Sequence, residues 1–460
     1  MAGHGCSTFA TEENGRVLDC LAGLEKVIPT ELIRQALFET GCVNGRACKV
    51  THEMTMWIMV AMGIYTDLPI RQVFKRSREY REGEKSPGRS TLCEARKRLG
   101  VEPLIKLFSL VVRPLATART RGAFYRGLRL MAFDSTLMDV FDSEANAVFG
   151  RASGGRGAGA FPQVRKLSLV ELGTHVETAI ALGGYADCER ALARTLWDRI
   201  PGDALLMEDR GFFSYPEWKA LNSRTKLLLR MKSTQVLKPF QTLSDGSYLA
   251  KIYPDSHARE KDRDGIVVRV IEYTLDDPQR TGHGEIHRLI TNLLDEHEHP
   301  ALELIALDHE RWEHELVYDE QKTHQDPIRA EKPAQLRSQT PSAVRQELYA
   351  LSIAHFVTRS LMLQAAESVD LDVDRISFKG RLQILQCRLS KCDGISTTKT
   401  DVWFRNLLCE ISDERTDPRR NRVNPRVIKR KMSKWPKKRP QHRPAPHLTK
   451  TFEESIVITI

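Results

Sequence analysis

The stretch LRLMAFD, residues 128–134, decides the fold predicted for this chain. It is a short apolar run that ends in an acid, and such runs are typical of strands buried in a sheet. A second run of this kind, ALLMED, covers residues 204–209 and ends in an acid as well. Because strand ends open into the clefts of α/β proteins, Asp134 and Asp209 are the first candidates for a functional site. Taken singly, each acid is more simply explained as a capping or turn residue.

Further strands are predicted around these two runs, at Leu167–Leu172, Val176–Leu182 and Lys226–Met231. Residues 189–197 have a helical pattern, and strands that alternate with helices around one sheet indicate an α/β or mixed fold. Residues 233–300 contain short strand patterns separated by polar turns, so we expect a β insertion that stands apart from the main sheet. From residue 301 onward the pattern is helical again.

Residues 1–120 are predicted to be mostly helical, because apolar residues recur at helical spacing along them. A turn at residues 83–88 is followed by a helix that contains Arg96, Lys97 and Arg98. A helix, a turn and a basic helix are what a unit that reads a DNA groove requires. Many helix pairs at protein surfaces have the same pattern, so both interpretations stay open.

The composition is that of a globular protein with a hydrophobic core. Of the 460 residues, 41% are hydrophobic and 28% are charged, which argues against global disorder and favours two or three domains. No stretch of eighteen apolar residues occurs, so no membrane span is expected. The first fourteen residues lack the pattern of a secretion signal, and the cytoplasm is the expected location.

The positive charge of the chain is concentrated near its end. Residues 415–443 contain thirteen lysines and arginines and one acid, a net charge of +12. Because the whole chain carries +10, the remainder is near −2. A dense basic segment favours contact with the phosphate backbone of nucleic acid, and a solvated tail without a specific partner is the alternative.

A third acid changes the interpretation of the first two. In the segment 311–322, Arg311 precedes Glu315 by four residues, and Lys322 follows Glu315 by seven. At about 100° per residue, one α-helix would place all three on the same face. The first two can be explained as an ordinary surface pair. The whole set suits a site in which a carboxylate binds metal and two cations hold phosphate.

Three carboxylates are a ligand set that phosphodiester chemistry uses. Two ions about 3.5–4 Å apart assist the attacking and the leaving oxygen, and oxygen ligands suit Mg²⁺ or Mn²⁺. We therefore predict that Asp134, Asp209 and Glu315 converge to within about 4–8 Å of one another and hold two such ions.

The order Asp, Asp, Glu together with Arg-x3-Glu-x6-Lys resembles the DDE transposases of the bacterial insertion-sequence-four family. The similarity extends over about residues 20–440 and includes the stretches 133–136, 208–213, 228–232 and 426–438. In that family a tyrosine stands three residues before the arginine, and here the position is Asp308. This departure puts one contact near the DNA strand end in doubt, and not the metal site.

The resemblance implies a mixed α/β fold with a ribonuclease-H-like catalytic core. It implies that Asp134, Asp209 and Glu315 ligate metal and that Arg311 and Lys322 contact DNA near the cleaved end. Arg210 either approaches a phosphate or forms a salt bridge. The expected domains are a helical N-terminal DNA-binding domain (1–120), the first part of the core (121–232), a β insertion (233–300), the remainder of the core (301–400) and a basic C-terminal tail (401–460).

The function implied by the resemblance is DNA transposition. Water would attack a phosphodiester to free a 3′-hydroxyl, and that hydroxyl would attack target DNA. The expected partners are double-stranded DNA, with terminal inverted repeats and a target, bound by a homodimer on paired ends in association with the bacterial nucleoid. A catalytically silent DNA-binding derivative and a stand-alone nuclease of the same fold are the alternatives.

Overall fold

The computed structural model of the protein describes residues 18–43, 48–78, 85–154, 157–232, 235–278, 280, 282–311, 313–326, 336–392, 397–416 and 450–459. The chain forms two compact units. A helical unit comprises Met1–Arg113, Met138–Val164 and Asp319–Arg415, and a sheet unit comprises Pro114–Leu137, Arg165–Tyr318 and Thr416–Ile460. No helix within the described ranges is both long enough and apolar enough to cross a membrane.

The α-helices of the described residues follow each other along the chain. They are α1 (Thr30–Glu39), α2 (His52–Ile64), α3 (Ile70–Arg76), α4 (Arg89–Leu99), α5 (Glu102–Val111), α6 (Glu189–Arg194), α7 (Tyr215–Asn222), α8 (Ser256–Glu260), α9 (Ala301–Glu310), α10 (Glu313–Asp319), α11 (Pro341–Ser368), α12 (Phe378–Leu389) and α13 (Thr397–Asp413). A π-helix, Glu320–Gln325, follows α10 directly.

The helical unit is organised around α2 and α11, which pack against each other. Helix α2 is buried on almost all sides, as expected for a helix at the centre of a domain. Thr51 caps α2 by accepting a hydrogen bond from a backbone N–H, and Thr340 caps α11 in the same way. A Cβ atom at Gly63 would lie 2.4 Å from the carbonyl oxygen of Ala350. The close approach of the two helices therefore requires glycine at this position.

Twelve strands of the described residues form one sheet. They are β1 (Phe124–Tyr125), β2 (Leu128–Asp139), β3 (Arg151–Gly154), β4 (Gly157–Glu171), β5 (Val176–Gly184), β6 (Ala204–Glu208), β7 (Lys226–Met231), β8 (Gln241–Thr242), β9 (Tyr248–Ile252), β10 (Ile266–Leu275), β11 (His287–Thr291) and β12 (Ile456–Ile458). The main order is β3-β4-β2-β6-β7-β11-β10-β9-β8, with β1 on β2, β5 on β4 and β12 on β10. Most of these strands belong to the sheet unit.

The two faces of this sheet have separate apolar clusters. Met131 and Leu206 belong to one cluster, whereas Leu130, Leu205 and Met207 belong to the other. Neighbouring residues of β2 and β6 thus alternate between the faces, as strand geometry requires. The second cluster also contains residues of α9 and α10, and we call this side the α9 face. It is the side on which the candidate site lies.

The strands predicted from the apolar runs are confirmed. The prediction that the strands of residues 233–300 stand apart from the main sheet is wrong. Strand β11 pairs with β7, with Ile290 opposite Leu229, and β10, β9 and β8 continue outward. The physical reason is burial on both faces. Val270 of β10 joins one apolar cluster and Ile271 joins the other, so these strands belong inside a continuing sheet and satisfy the open edge of β7.

Candidate active site

Asp134 and Asp209 lie beside each other at the ends of adjacent strands. Strands β2 and β6 are parallel neighbours, with Ala132 opposite Met207 in the hydrogen-bonded register. Asp134 lies two residues beyond Ala132, and Asp209 lies two residues beyond Met207. Both side chains therefore leave the sheet on the same face as Ala132 and Met207, the α9 face. Neighbouring strands are about 4.8 Å apart. The sheet therefore brings these two carboxylates to the same level on one surface.

The backbone holds each of the two carboxylates in a similar way. The N–H of Ser135 donates to Oδ1 of Asp134 over 2.8 Å, and the N–H of Arg210 donates to Oδ1 of Asp209 over 2.8 Å. Both acids are half-buried. Carboxylate oxygens are among the ligands that Mg²⁺ and Mn²⁺ prefer. The pair therefore fits a divalent ion by chemistry as well as by placement.

Glu208 shows how a neighbouring acid is excluded from this surface. It precedes Asp209 on β6, so its side chain leaves the sheet on the opposite face, where it is buried. Burial, with a smaller effect of the Glu217 carboxylate, raises the pKa of Glu208 to about 8. Glu208 is thus largely protonated at neutral pH, and it is no candidate for a metal ligand.

Arg230 is a residue of this surface that the motif analysis missed. Leu229 of β7 pairs with Glu208, so Arg230 is level with Asp209. Nε of Arg230 donates to Oδ2 of the fully buried Asp308 over 2.7 Å. Burial lowers the pKa of Arg230, but Asp308 and the charge of Asp209 raise it above its usual value. The sequence offered one indication of this residue, namely an arginine within the apolar stretch LLLRM of residues 227–231.

Asp308 also lies close to Arg311, with 3.8 Å between its Oδ1 and Nε of the arginine. One buried carboxylate therefore has two guanidinium groups near it, those of Arg230 and Arg311. Asp308, which stands where the family has a tyrosine, is thus an ion-pairing residue in the interior of the sheet unit. It accepts a hydrogen bond from Arg230 and lies within ion-pair distance of Arg311.

The single α-helix predicted for residues 311–322 is wrong. Helix α9 ends at Glu310 with Arg311 as its C-cap, α10 covers Glu313–Asp319, and the π-helix follows. An angle of 100° per residue does not hold across these breaks. The shared face inferred for Arg311, Glu315 and Lys322 therefore has no support from helical periodicity.

Glu315 lies in α10, and its side chain is outside the described residues, together with those of Glu313 and His314. Two contacts of described residues place α10 against the sheet. Val317 packs into the apolar cluster of the α9 face. The hydroxyl of Tyr318 donates to the backbone carbonyl of Asp134 over 2.7 Å. Glu315 is one helical turn from Tyr318, so the backbone of the third acid is near the end of β2.

A metal site of three carboxylates stays a prediction. Among the described side chains, which exclude that of Glu315, no three His, Cys, Asp or Glu are grouped so that they could hold a metal ion. The two strand ends supply two of the predicted ligands, and α10 covers the same face.

Comparisons with known proteins show similarity to transposases. A sequence model described as "Insertion element 4 transposase N-terminal" matches residues 19–109. The chain is similar to "Transposase InsG for insertion sequence element IS4" of Escherichia coli (strain K12), with 27% identity over 422 residues, which are 90% of this chain and 93% of the relative. It is also similar to "Putative transposase InsZ" of the same strain, with 26% identity over 202 residues, 43% of this chain and 66% of that relative.

The family model and the 27% identity over 90% of the chain support an insertion-sequence-four transposase. The resemblance drawn from the three acids and the Arg-Glu-Lys spacing is thereby confirmed at the level of the family.

The lysine of the family motif, Lys322, lies in the π-helix of the helical unit. Burial lowers its pKa, and the carboxylate of Asp139 acts in the opposite direction. The same π-helix is anchored through Glu320, which is buried. Nε of Arg359 donates to Oε2 of Glu320 over 2.9 Å, and Nε2 of His355 lies 3.1 Å from the same oxygen.

The predicted DNA-contacting residues differ in their surroundings. The guanidinium of Arg96 donates to Gln346, Ser338 and the carbonyl of Ala343. These bonds connect α4 with α11 inside the helical unit, and DNA contact by Arg96 stays a prediction.

Lys97, Arg98 and Arg210 are exposed and stay candidates for phosphate contacts. Lys97 is paired with Glu94 at 2.8 Å, an exposed pair of the kind that contributes little stability. The basic segment 415–443 lies outside the described residues from position 417 onward.

Proposed function

We propose that this protein is a metal-dependent DNA transposase that cleaves the ends of its element and joins the freed 3′-hydroxyl groups to target DNA. The observation that supports it most is the placement of Asp134 and Asp209 side by side on the sheet face covered by the helix of Glu315. Both relatives described above are named transposases.

In this proposal Asp134, Asp209 and Glu315 hold two Mg²⁺ or Mn²⁺ ions in a ribonuclease-H-like core. Bound ions of this kind activate an attacking oxygen and stabilise a leaving oxygen on phosphorus. Arg311 and Lys322 contact the phosphates near the cleaved strand end, as does the exposed Arg210. Water attacks first and releases a 3′-hydroxyl, which then attacks a phosphodiester of the target.

The N-terminal residues 1–120 bind the terminal inverted repeats, and the basic segment 415–443 adds phosphate contacts that are independent of sequence. A homodimer assembled on paired ends is the proposed working form. The region to which we assign end recognition includes residues 19–109, which match the sequence model of the transposase N-terminal part.

The test uses purified full-length protein and labelled duplexes that contain the element's own ends. With Mg²⁺ or Mn²⁺ we expect nicking at the end and joining to a second duplex, and with chelator neither product. Asp209→Asn is expected to bind the ends and not to cut them, since the amide loses the charge that holds a divalent ion. Cleavage that persists in chelator contradicts the proposal. Binding without cleavage by the wild type favours a silent DNA-binding protein, and cleavage without joining favours a nuclease.

A further inference from the structure

We propose that Tyr318 is a positioning residue that fixes α10, the helix of Glu315, against the strand end of Asp134 and thereby sets the affinity of the site for divalent cations. This inference rests on the proposed function, because it takes Asp134 and Glu315 to be metal ligands. Tyr318 belongs to the same unit as both acids.

The first support is the contact itself. The hydroxyl of Tyr318 donates to the carbonyl oxygen of Asp134, the same residue whose carboxylate faces the site. Tyr318 is buried, and it is three residues beyond Glu315 in α10. One hydrogen bond of 2.7 Å therefore links the backbones that present the first and the third acid. A shift of α10 would change their separation directly.

The second support is a buried polar cluster beside this hydroxyl. Nζ of Lys166 donates to Oε2 of Glu177 over 2.8 Å, and Oγ of Ser168 donates to Oε1 over 2.6 Å. All three side chains are almost completely buried. Buried polar groups cost stability unless they are satisfied, and here they satisfy one another. The cluster connects β4 with β5 and gives Tyr318 a rigid neighbour.

The third support is a contact between this cluster and the tyrosine. Ser168 forms a side-chain hydrogen bond with Tyr318, so the hydroxyl is held from β4 as well as by the carbonyl of Asp134.

Removing this hydroxyl is expected to lower the affinity of the site for metal. It should have a smaller effect on the rate of cleavage when metal is saturating. Metal ligands must be held to within about 0.5 Å, and loss of a group that orients a ligand costs about 10–100-fold in metal affinity. For Tyr318→Phe the ring still fills its place, so we expect the lower end of that range. We expect cleavage at saturating Mg²⁺ to stay within about threefold of the wild type.

The matched control is Tyr248→Phe. Tyr248 is a buried tyrosine of β9 in the same unit, and its hydroxyl donates to Oε1 of Glu272 over 3.0 Å. Both substitutions remove one buried hydroxyl, with its hydrogen bonding, from the sheet unit. The two variants should therefore lose similar amounts of thermal stability, and they differ in whether the lost bond ends at Asp134.

The experiment measures two values for the full chain. One is the dissociation constant of Mn²⁺, measured by electron paramagnetic resonance, and the other is the Mg²⁺ concentration that gives half-maximal end cleavage. Tyr318→Phe should raise both values about tenfold, and Tyr248→Phe should change neither. Ser168→Ala provides a second variant if Tyr318→Phe does not fold, with a smaller shift in the same direction expected. Unchanged metal affinity in the folded variants, or equal shifts in variant and control, would overturn the proposal. A wild type that binds no Mn²⁺ defeats the proposed function first, and this inference with it.

Discussion

The two strand ends of the candidate site and the helical segment 301–325 are held in place in different ways. Asp134 and Asp209 are placed by a ladder of backbone hydrogen bonds, and their own side chains are half-buried. The helical segment is held by buried charges instead, Asp308 with Arg230 and Glu320 with Arg359. An acid at a strand end can thus be replaced with little effect on the fold, whereas the buried acids Asp308 and Glu320 of the helical segment support the fold itself.

The largest effect that follows from this contrast is on catalysis at a strand end. Asp134→Asn should reduce end cleavage by at least about 1000-fold, because bound metal contributes several kcal/mol of transition-state stabilisation. Glu208→Gln is the control, since Glu208 faces the other side of the sheet and is mostly protonated at neutral pH. The control should cut within about threefold of the wild type. Equal losses in a cleavage gel would show that the two faces are not functionally distinct.

The next effect is on stability in the helical segment. Glu320→Ala should lower the free energy of unfolding by about 3–5 kcal/mol, because it leaves the fully buried Arg359 without its carboxylate. Glu410→Ala is the matched control. Glu410 pairs with Arg388 in the same unit, but about two-fifths of each side chain is exposed, so its loss should cost less than about 1 kcal/mol. Denaturant unfolding of both variants measures the difference, and equal costs would contradict a buried anchor.

The same chemical change should have opposite consequences at the two regions. Asp308→Asn should cost about 3 kcal/mol of stability, since Asp308 is fully buried and compensates Arg230. Asp209→Asn should change stability by less than about 0.5 kcal/mol while it removes cleavage. Thermal melts of the two variants provide the comparison. A stable Asp308→Asn protein would mean that Arg230 finds another partner.

The smallest effect is a dependence of stability on pH at His309, near the end of α9. Burial lowers the pKa of His309, with the nearby Asp308 acting in the opposite direction. The unfolded chain therefore binds more protons than the folded protein below about pH 6.5, and stability should fall as the pH drops through this value. His309→Phe keeps the ring that stacks on Phe452 and removes the proton site. Urea midpoints measured between pH 5 and 7.5 should flatten in the variant, and an unchanged slope would contradict this assignment.

What could be predicted from the sequence was what depends on local pattern. The apolar runs before Asp134 and Asp209 predicted buried strands, and β2 and β6 are buried strands. Once these two parallel strands are neighbours, their register determines that the acids that follow the two runs lie beside each other. The spacing of the third acid identified the family, although the helix assumed for it is interrupted.

What could not be predicted depends on residues far apart in the chain. Arg230 and Asp308 are separated by 78 positions, and Tyr318 and Asp134 by 184. Arg96 is in a basic helix that looked like a DNA-contacting surface, and its partner Gln346 is 250 positions away. No periodicity reveals such pairs, because they arise only when the elements pack. The chain end is a similar case, since β12 acquires its strand form by pairing with β10.

Direct metal ligation by the strand-end acids is tested most sharply by Asp209→Cys. A thiolate is a poor ligand for Mg²⁺ and a better one for softer ions such as Mn²⁺. If Asp209 binds the ion, end cleavage by this variant should be lost in Mg²⁺ and recovered at least in part in Mn²⁺, whereas Asp209→Asn should stay inactive in both. Equal activity of Asp209→Cys in the two metals, or no recovery while the wild type cuts in Mn²⁺, would contradict a metal site at the ends of β2 and β6.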